Sequence, residues 1–299
     1  MLKLGALERS HAARHPKRAL ALTMLRQFGG ELSDADEEIL HRLYCTVRLA
    51  NGGHMKTFPN RYPQLDDQIA EELDRRFSAG EPVRIHDMGA SGAVTSLEMF
   101  HRLRGRQNLT VHASDFLDAL LVVDVPGTGW QVVFDNQRRA LQFIGYRMVI
   151  STTDEPRKYP INRAIRAFLM GWILPRAKQL LETGSATRIE VWHPKARLEA
   201  ATDPRFSLGY ADIFDPLPEV YTMVRILNVC HRFPAAALPR LFTKVARTIA
   251  PGGLLVVGFR PMLNPLDASF FERSAGGFSL VRDIGAGFSD KDSVLEVGL

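Results

Sequence analysis

The sequence is poor in cysteine, with only Cys45 and Cys230 among its 299 residues. Two cysteines so far apart, without neighbouring ligands, form neither a disulfide framework nor a metal-binding motif. The nine histidines show no spacing that indicates a metal site. We therefore expect a cytoplasmic protein that binds no metal.

Long apolar runs are also missing. The longest apolar core of a predicted helix, residues 167–174, is far short of the roughly 20 residues that cross a bilayer. This stretch fits a buried helix, a lid over an acceptor pocket or a contact with lipid at the membrane surface. With 45% hydrophobic and 24% charged residues, the chain has the composition of a globular protein. Its length fits one large domain with additions, or two small domains.

Excess charge is confined to the start of the chain. Residues 1–30 hold six basic residues and one acid, and this net charge of +5 equals that of the whole chain. The neutral remainder argues against a nucleic acid as the substrate. The basic segment is interpreted as a solvated tail, a surface-docking arm or a transit-like sequence.

The most informative segment is an apolar strand, Val83 to Met88, which runs into a turn of small residues and then a helix. Gly89 and Gly92 lack a Cβ, so a ligand can approach the backbone and the helix N-terminus closely. A dinucleotide fingerprint needs a third glycine, and that position holds Val94 or Thr95. Dinucleotide binding is therefore disfavoured, while a tight turn without a ligand stays open.

Three further predicted strands end in polar residues, namely Asp115, Asp212 with Ile213 after it, and Asn228. Ligands of open α/β sheets bind beyond the carboxyl ends of the strands, so we expect these residues near one another. A carboxylate at Asp115 can accept hydrogen bonds from both hydroxyls of a ribose. The alternatives are a helix N-cap at Asp115 and a turn-forming role for Asp212.

The last third of the chain contains a helix, Leu241 to Ile249, followed by Pro251-Gly252-Gly253 and an apolar strand. Proline ends the helix, and the glycines permit unusual backbone dihedrals. Alternating runs at Phe278 to Val281 and Val294 to Val297 predict an antiparallel strand pair that closes the sheet.

A large insertion separates the predicted strand that ends at Asp115 from the one that ends at Asp212. Asp115 and Asp212 are 97 positions apart, whereas a plain helix-strand step needs about 20–30 residues. The insertion predicts a hairpin from Trp130 to Tyr146 and a helix from Asn162 to Leu181 that is broken or kinked at Pro175. We assign the choice of acceptor to this segment, because insertions at that edge lie where ligands bind.

Together these landmarks resemble the class I S-adenosylmethionine-dependent methyltransferases over roughly residues 82–118 and 188–299. The family's first motif, D-x-G-x-G-x-G, begins here at Asp87 and Gly89, with Ser91 and Ala93 at its second and third glycines. The resemblance implies S-adenosyl-L-methionine as cofactor. It also implies an α/β fold whose doubly wound, mostly parallel seven-stranded sheet has helices on both faces. The implied cofactor-binding residues are Asp87, Gly89, Ala90, Ser91, Asp115, Asp212, Ile213 and Asn228.

The domain prediction has three parts: a basic segment at 1–30, a helical cap at 31–80, and a methyltransferase domain at 81–299 with its insertion at about 118–187. Within the cap, the loop 51–62 either connects two helices or folds over the cleft to bind cofactor or acceptor. Its glycines, aromatic rings and hydrogen-bonding groups suit both roles.

The predicted reaction is methyl transfer to oxygen or nitrogen of a small-molecule or glycan acceptor. Such transfer is an in-line displacement, so the protein mainly aligns the acceptor, with a general base where the acceptor is a hydroxyl. His231 is the candidate base, or else packs under the following helix. Cys230 is disfavoured as a nucleophile, since it lacks a preceding proline. The alternatives are a cofactor-binding regulatory protein without turnover and a nicotinamide-dependent oxidoreductase.

Overall fold

The computed structural model describes residues 40, 41, 44, 47, 49, 55, 58–146, 148–153, 160–215, 219–260 and 265–298. The basic segment 1–30 therefore lies outside the described residues. The chain divides into two compact units. The first, called the seven-stranded unit, comprises 58–116 and 195–299; the second, the five-stranded unit, comprises 117–194 and residues before 58.

The described strands and helices follow in chain order. The strands are β1 Val83–Met88, β2 Leu109–Asp115, β3 Ala119–Val125, β4 Trp130–Asp135, β5 Ala140–Gly145, β6 Met148–Ser151, β7 Thr187–Glu190, β8 Phe206–Tyr210, β9 Tyr221–Leu227, β10 Ile249–Phe259, β11 Asp267–Ser274 and β12 Gly277–Ile284. The helices are α1 Pro63–Arg76, α2 Val94–Leu103, α3 Pro160–Phe168, α4 Leu174–Glu182, α5 Pro194–Thr202, α6 Leu238–Thr248 and α7 Asp292–Leu295.

The seven-stranded sheet has the order β12-β11-β10-β9-β1-β2-β8. The four pairs between β8 and β10 are parallel, whereas β11 pairs antiparallel with both β10 and β12. The predicted α/β class and the seven strands are thus confirmed. Because these pairs are parallel, the carboxyl ends of β9, β1, β2 and β8 lie side by side along one edge, and the strand order reverses at β1.

One predicted strand is wrong. Val294 to Val297 was expected to pair with the run at 278–281, but α7 occupies Asp292–Leu295, and the partner of β12 is β11. Val294 and Val297 both enter the core that α6 covers, while Leu295 is exposed. Three-residue spacing of buried side chains is typical of helical turns, and here it joins Val294 of α7 to Val297 in the turn that follows.

Helices α1 and α6 contact opposite faces of β9. Val224 and Ile226 pack in a core with Phe242 and Val245 of α6. Their neighbour Arg225 points the other way and reaches Asp66 of α1. This follows from the two-residue period of a strand, which sends successive side chains to opposite faces.

The five-stranded sheet is antiparallel throughout, in the order β6-β5-β4-β3-β7. Its β4-β5 hairpin confirms the one predicted, with the Asp135 carboxylate accepting from the Arg139 backbone in the turn. The predicted helix is broken by a π-helical turn at Leu169–Ile173, in which Leu174 N donates to Leu169 O. Pro175 supplies no N–H donor here, which explains the break. None of the described helices has the length and apolar character needed to cross a membrane.

Candidate functional site

The turn after β1 contains three residues in the left-handed region, Gly89, Ser91 and Ala93, with φ of 73°, 54° and 59°. The amides of Gly89 and Ala90 both donate to the Ser114 carbonyl of β2, at 2.8 and 2.9 Å. A Cβ at Gly89 would overlap the side chain of Val229, which lies just after β9. Each non-glycine residue in this region costs about 1–2 kcal/mol. The three positions at which the family motif has glycine thus have left-handed backbone conformations, which favour glycine.

Asp115 ends β2 and binds this turn directly. Its Oδ2 accepts a hydrogen bond of 2.8 Å from the Ser91 amide. The alternative role as a helix N-cap is wrong, because β3 follows Asp115. Within the described part of the chain, the buried Oγ of Ser91 has no hydrogen-bond partner. The Asp115 carboxylate, which the sequence predicts to accept from ribose hydroxyls, therefore contacts the turn through the Ser91 amide.

Asp87 lies behind the turn in a buried ion cluster that consists of Asp66, Asp87, Ser96 and Arg225. Arg225 donates through Nε to Asp87 Oδ1 at 3.0 Å, through Nη2 to Oδ2 at 2.6 Å, and through Nη1 to Asp66 Oδ1 at 2.9 Å. Ser96 Oγ of α2 donates to Asp87 Oδ2 at 2.5 Å. Both carboxylate oxygens of Asp87 are thus bound within the protein. Asp87 therefore connects β1 with β9 and α2 around the turn.

Burial governs the charges of this cluster. The Asp66 carboxyl is removed from water, which raises its pKa to about 7 although Arg225 acts in the opposite sense. Burial opposes the charge of Arg225, but Asp87 and Asp66 prevail and raise its pKa. The sequence reading missed Arg225, yet a signal was present: an arginine within an apolar strand needs an acidic partner.

Asn228 follows β9 with a φ of 56° and joins three segments. Its amide donates to Gly258 O of β10 at 2.8 Å, its Oδ1 accepts from the Arg260 amide at 2.7 Å, and its Nδ2 donates to the Tyr62 hydroxyl. Arg61 Nη2 donates to Arg260 O at 3.2 Å. The end of the loop 51–62 therefore lies at the ends of β9 and β10, while its role over the cleft stays a prediction.

His231 lies in the short helical turn after Asn228. Its side chain is exposed, and its ring is tilted against that of Phe259, with the two ring centroids 4.4 Å apart. The prediction that it packs under the following helix is wrong. Partial burial, with the positive charges of Arg232 and Arg61, lowers its pKa, so the imidazole is neutral near pH 7. By contrast, burial raises the pKa of the Cys230 thiol to about 12 and leaves almost no thiolate.

Asp212 and Ile213 follow β8. Asp212 Oδ1 accepts from the Phe214 amide at 2.9 Å, and its carbonyl accepts from the Asp215 amide at 2.8 Å, so it does form the turn considered as its alternative role. Ile213 is buried in the core beside Met88. Contact of either residue with a cofactor stays a prediction.

The sheet order brings most of the predicted residues to one edge. Asn228 follows β9, Gly89 follows β1, Asp115 ends β2, and Asp212 follows β8, four strands that are neighbours in this order. Tyr62, Arg61 and Arg260 join the same edge through their bonds to one another and to Asn228.

No protein-family model and no curated protein matches the chain. Matching solved structures include the magnesium protoporphyrin IX methyltransferase from Synechocystis PCC 6803 with bound SAM, at 11% identity over 88% of this chain and 78% of that one, with a TM-score of 0.33. The S-adenosylmethionine-dependent methyltransferase SibL matches at 15% identity over 85% and 53%, with a TM-score of 0.33. The mitomycin 7-O-methyltransferase matches at 11% over 86% and 49%, with a TM-score of 0.31. This chain thus spans about half the length of the last two. Likeness at this level does not identify its reaction.

Proposed function

We propose that this protein is an S-adenosylmethionine-dependent methyltransferase of class I, with a doubly wound sheet. The observation that carries the proposal is the bond between Asp115 and the Ser91 amide, which joins an acid at the end of β2 to a left-handed turn after β1. A strand-end acid beside a turn of this kind is where an α/β sheet holds the ribose of a cofactor. Contacts of α1 and α6 with opposite faces of β9 support the doubly wound arrangement.

The residues of this edge suit the parts of the cofactor. Asp115 and the Ser91 hydroxyl would hold the ribose, and Asp212 with Ile213 would lie towards the adenine. The turn leads into α2, whose N-terminus favours a negative charge such as a carboxylate. When bound, S-adenosylmethionine supplies a methyl group already activated by its sulfonium. The protein's task is then alignment and the exclusion of water.

The neutral imidazole of His231 makes it the candidate general base of this site. It stands three residues after Asn228, is exposed, and has a lowered pKa. A neutral imidazole can accept a proton from a hydroxyl acceptor, whereas an amine that arrives neutral needs no base. The proposed acceptor is a small molecule or a glycan, methylated on oxygen or nitrogen, in a cytoplasmic setting.

Calorimetric titration of the purified protein with S-adenosylmethionine, S-adenosylhomocysteine and NAD tests the cofactor. We expect binding of the two sulfur compounds and none of NAD. Asp115→Ala should weaken both affinities by about tenfold, because it removes acceptors for the ribose hydroxyls. Asp124→Ala, which changes an exposed acid in β3, is the matched control and should bind as the wild type does. Binding of NAD alone would instead support the nicotinamide-dependent oxidoreductase as the function.

The role of His231 is tested after an acceptor screen has found turnover. His231→Ala should keep the affinity for S-adenosylhomocysteine and lower kcat by about 10²–10⁴-fold if the acceptor is a hydroxyl. Because the pKa of His231 is lowered, wild-type kcat/KM should rise with pH through a value below 6.5 and then level off. A variant with unchanged kcat and the same acid limb would remove His231 from the mechanism.

A second candidate is a regulatory protein that binds the cofactor without turnover. It is favoured by Ser91 and Ala93, which put side chains on backbone that glycine adopts at lower cost. The two functions share the titration result and differ in the acceptor screen. Binding without transfer to any small-molecule or glycan acceptor would favour the regulatory protein.

A further inference from the structure

The helical segment of the five-stranded unit exposes a cluster of large apolar side chains. Phe168, Met170 and Trp172 are 46%, 39% and 41% exposed, although they lie within five consecutive residues. The Phe168 and Trp172 rings contact each other with centroids 5.1 Å apart, and the Arg176 guanidinium lies 3.7 Å from the Trp172 ring centroid. We call Phe168, Trp172 and Arg176 the aromatic row.

The π-helical turn produces this row. Leu169, Ile173 and Ala177 form a second row with the same four-residue spacing, and they are buried against β3, β4 and β5. In a regular helix, rows with this spacing drift around the axis by about 40° per step, because one turn takes 3.6 residues. The wider turn at Leu169–Ile173 offsets the drift, so the buried row stays on the sheet and the aromatic row stays on the outside.

The charges of the same segment are mostly basic. Between residues 160 and 182 the sequence holds four basic residues, Arg163, Arg166, Arg176 and Lys178, and one acid, Glu182, which is the last residue of α4. The side chains of Arg163, Arg176 and Lys178 are exposed. A protein partner usually presents mixed charges, whereas an anionic lipid surface presents negative charge throughout. A mostly basic segment around exposed aromatic rings therefore complements the lipid surface better.

The chemistry of the row suits the headgroup region of a bilayer. Tryptophan is favoured there because its ring is amphipathic, and arginine extends its charge to the phosphates while its stem lies on apolar surface. From these observations we propose that the aromatic row docks this protein in the plane of an anionic membrane surface. The basic segment 1–30, with its net charge of +5, adds attraction of the same sign.

Vesicle flotation with the full chain tests the docking. Vesicles of phosphatidylcholine mixed with phosphatidylglycerol should carry the protein, phosphatidylcholine alone should not, and added salt should weaken binding. Trp172 serves as a reporter, because Trp130 and Trp192 are only 6% exposed. Its fluorescence should shift to shorter wavelength on the anionic vesicles, and Trp172→Phe should bind while losing that shift.

The variants separate this surface from the rest of the protein. The double change Phe168→Ser with Trp172→Ser should lower vesicle affinity by about tenfold or more, and Arg163→Glu with Lys178→Glu should do the same. Leu198→Ser, a change at an exposed leucine of α5, should have no effect. Circular dichroism and S-adenosylhomocysteine affinity report whether each variant folds.

Three outcomes would overturn the proposal. They are absence of wild-type binding to anionic vesicles, equal binding of the serine double variant, and a wild-type dimer that this variant abolishes, since a dimer would mean that a second copy covers the row. Failure of the proposed function is distinguishable, because docking is measured without cofactor.

Discussion

The two faces of β9 are built on opposite principles. On one face Val224 and Ile226 pack against α6 in an apolar core. On the other, Arg225 is completely buried and binds two carboxylates, Asp87 and Asp66. Neighbouring residues of a single strand thus serve a core without charge and a core that depends on charge.

The comparison shows how stability and positioning are divided. Apolar packing is non-directional and tolerates exchange of side chains of similar volume. A guanidinium bound to two carboxylates fixes angles as well as distances, because its donors form a rigid fork. The ion cluster lies directly behind the turn at Gly89, so we infer that it holds the turn in register, while the α6 face supplies stability.

Removal of Arg225 should have the largest effect. Arg225→Met leaves two buried carboxylates without their cation and should lower the free energy of unfolding by about 3–5 kcal/mol. On the other face, Val224→Ala should lower it by on the order of 2 kcal/mol and leave S-adenosylhomocysteine affinity unchanged. Urea unfolding and calorimetric titration measure both quantities.

A fully apolar replacement sharpens the same comparison. Combining Arg225→Met with Asp66→Leu and Asp87→Leu removes every charge of the ion cluster and should recover most of the lost free energy of unfolding. We expect the cofactor affinity to remain low, since the turn has lost its directional support. Recovery of stability and affinity together would mean that the ion cluster has no positioning role.

The pH dependence of stability should reveal Asp66. Its pKa is about 7 in the folded protein and 3.8 as the reference value for the unfolded chain, so the folded state binds the proton more tightly. The stability contributed by this proton is complete below pH 3.8 and is lost as the pH rises through 7. The shift corresponds to at most about 4 kcal/mol.

Asp66→Asn should abolish this dependence. Between pH 4 and pH 8, the free energy of unfolding of the wild type should fall relative to that of the variant. Taking the difference cancels other titrating groups, including buried His86, whose pKa is lowered to about 3. A difference that stays constant with pH would place the titration elsewhere.

The smallest effect concerns the turn itself. Ala93→Gly should raise the free energy of unfolding by about 1 kcal/mol or less, because it relieves left-handed strain but loosens the unfolded chain. Gly89→Ala should do the reverse and also impair cofactor binding, since its side chain would overlap Val229. A loss of stability in Ala93→Gly would mean that Ala93 carries no left-handed strain that glycine relieves.

Much of the sheet was predictable because its signals are local. β1 and β2 coincide with the predicted Val83 to Met88 and Leu109 to Asp115, and β9 ends just before Asn228, whereas β8 ends at Tyr210, two residues before the predicted Asp212. The run at 294–297 was wrongly predicted as a strand, because the helical and the strand spacing of apolar residues cannot be distinguished in so short a segment. The break before Pro175 was expected from the residue, but its form, a π-helical turn, was not.

The sequence by itself determined where most strands of the seven-stranded sheet lie, that a turn of small residues follows β1, and where the chain carries excess charge. Only the tertiary structure decided what those side chains bind. Asp87 was predicted to contact a ligand, yet it is held by Arg225, which lies 138 residues away, and Asn228 is held by Tyr62, 166 residues away. Local pattern depends on backbone propensity and alternation, which act over a few residues. The partner of a buried polar group is chosen by proximity in space, which arises only when distant strands pair.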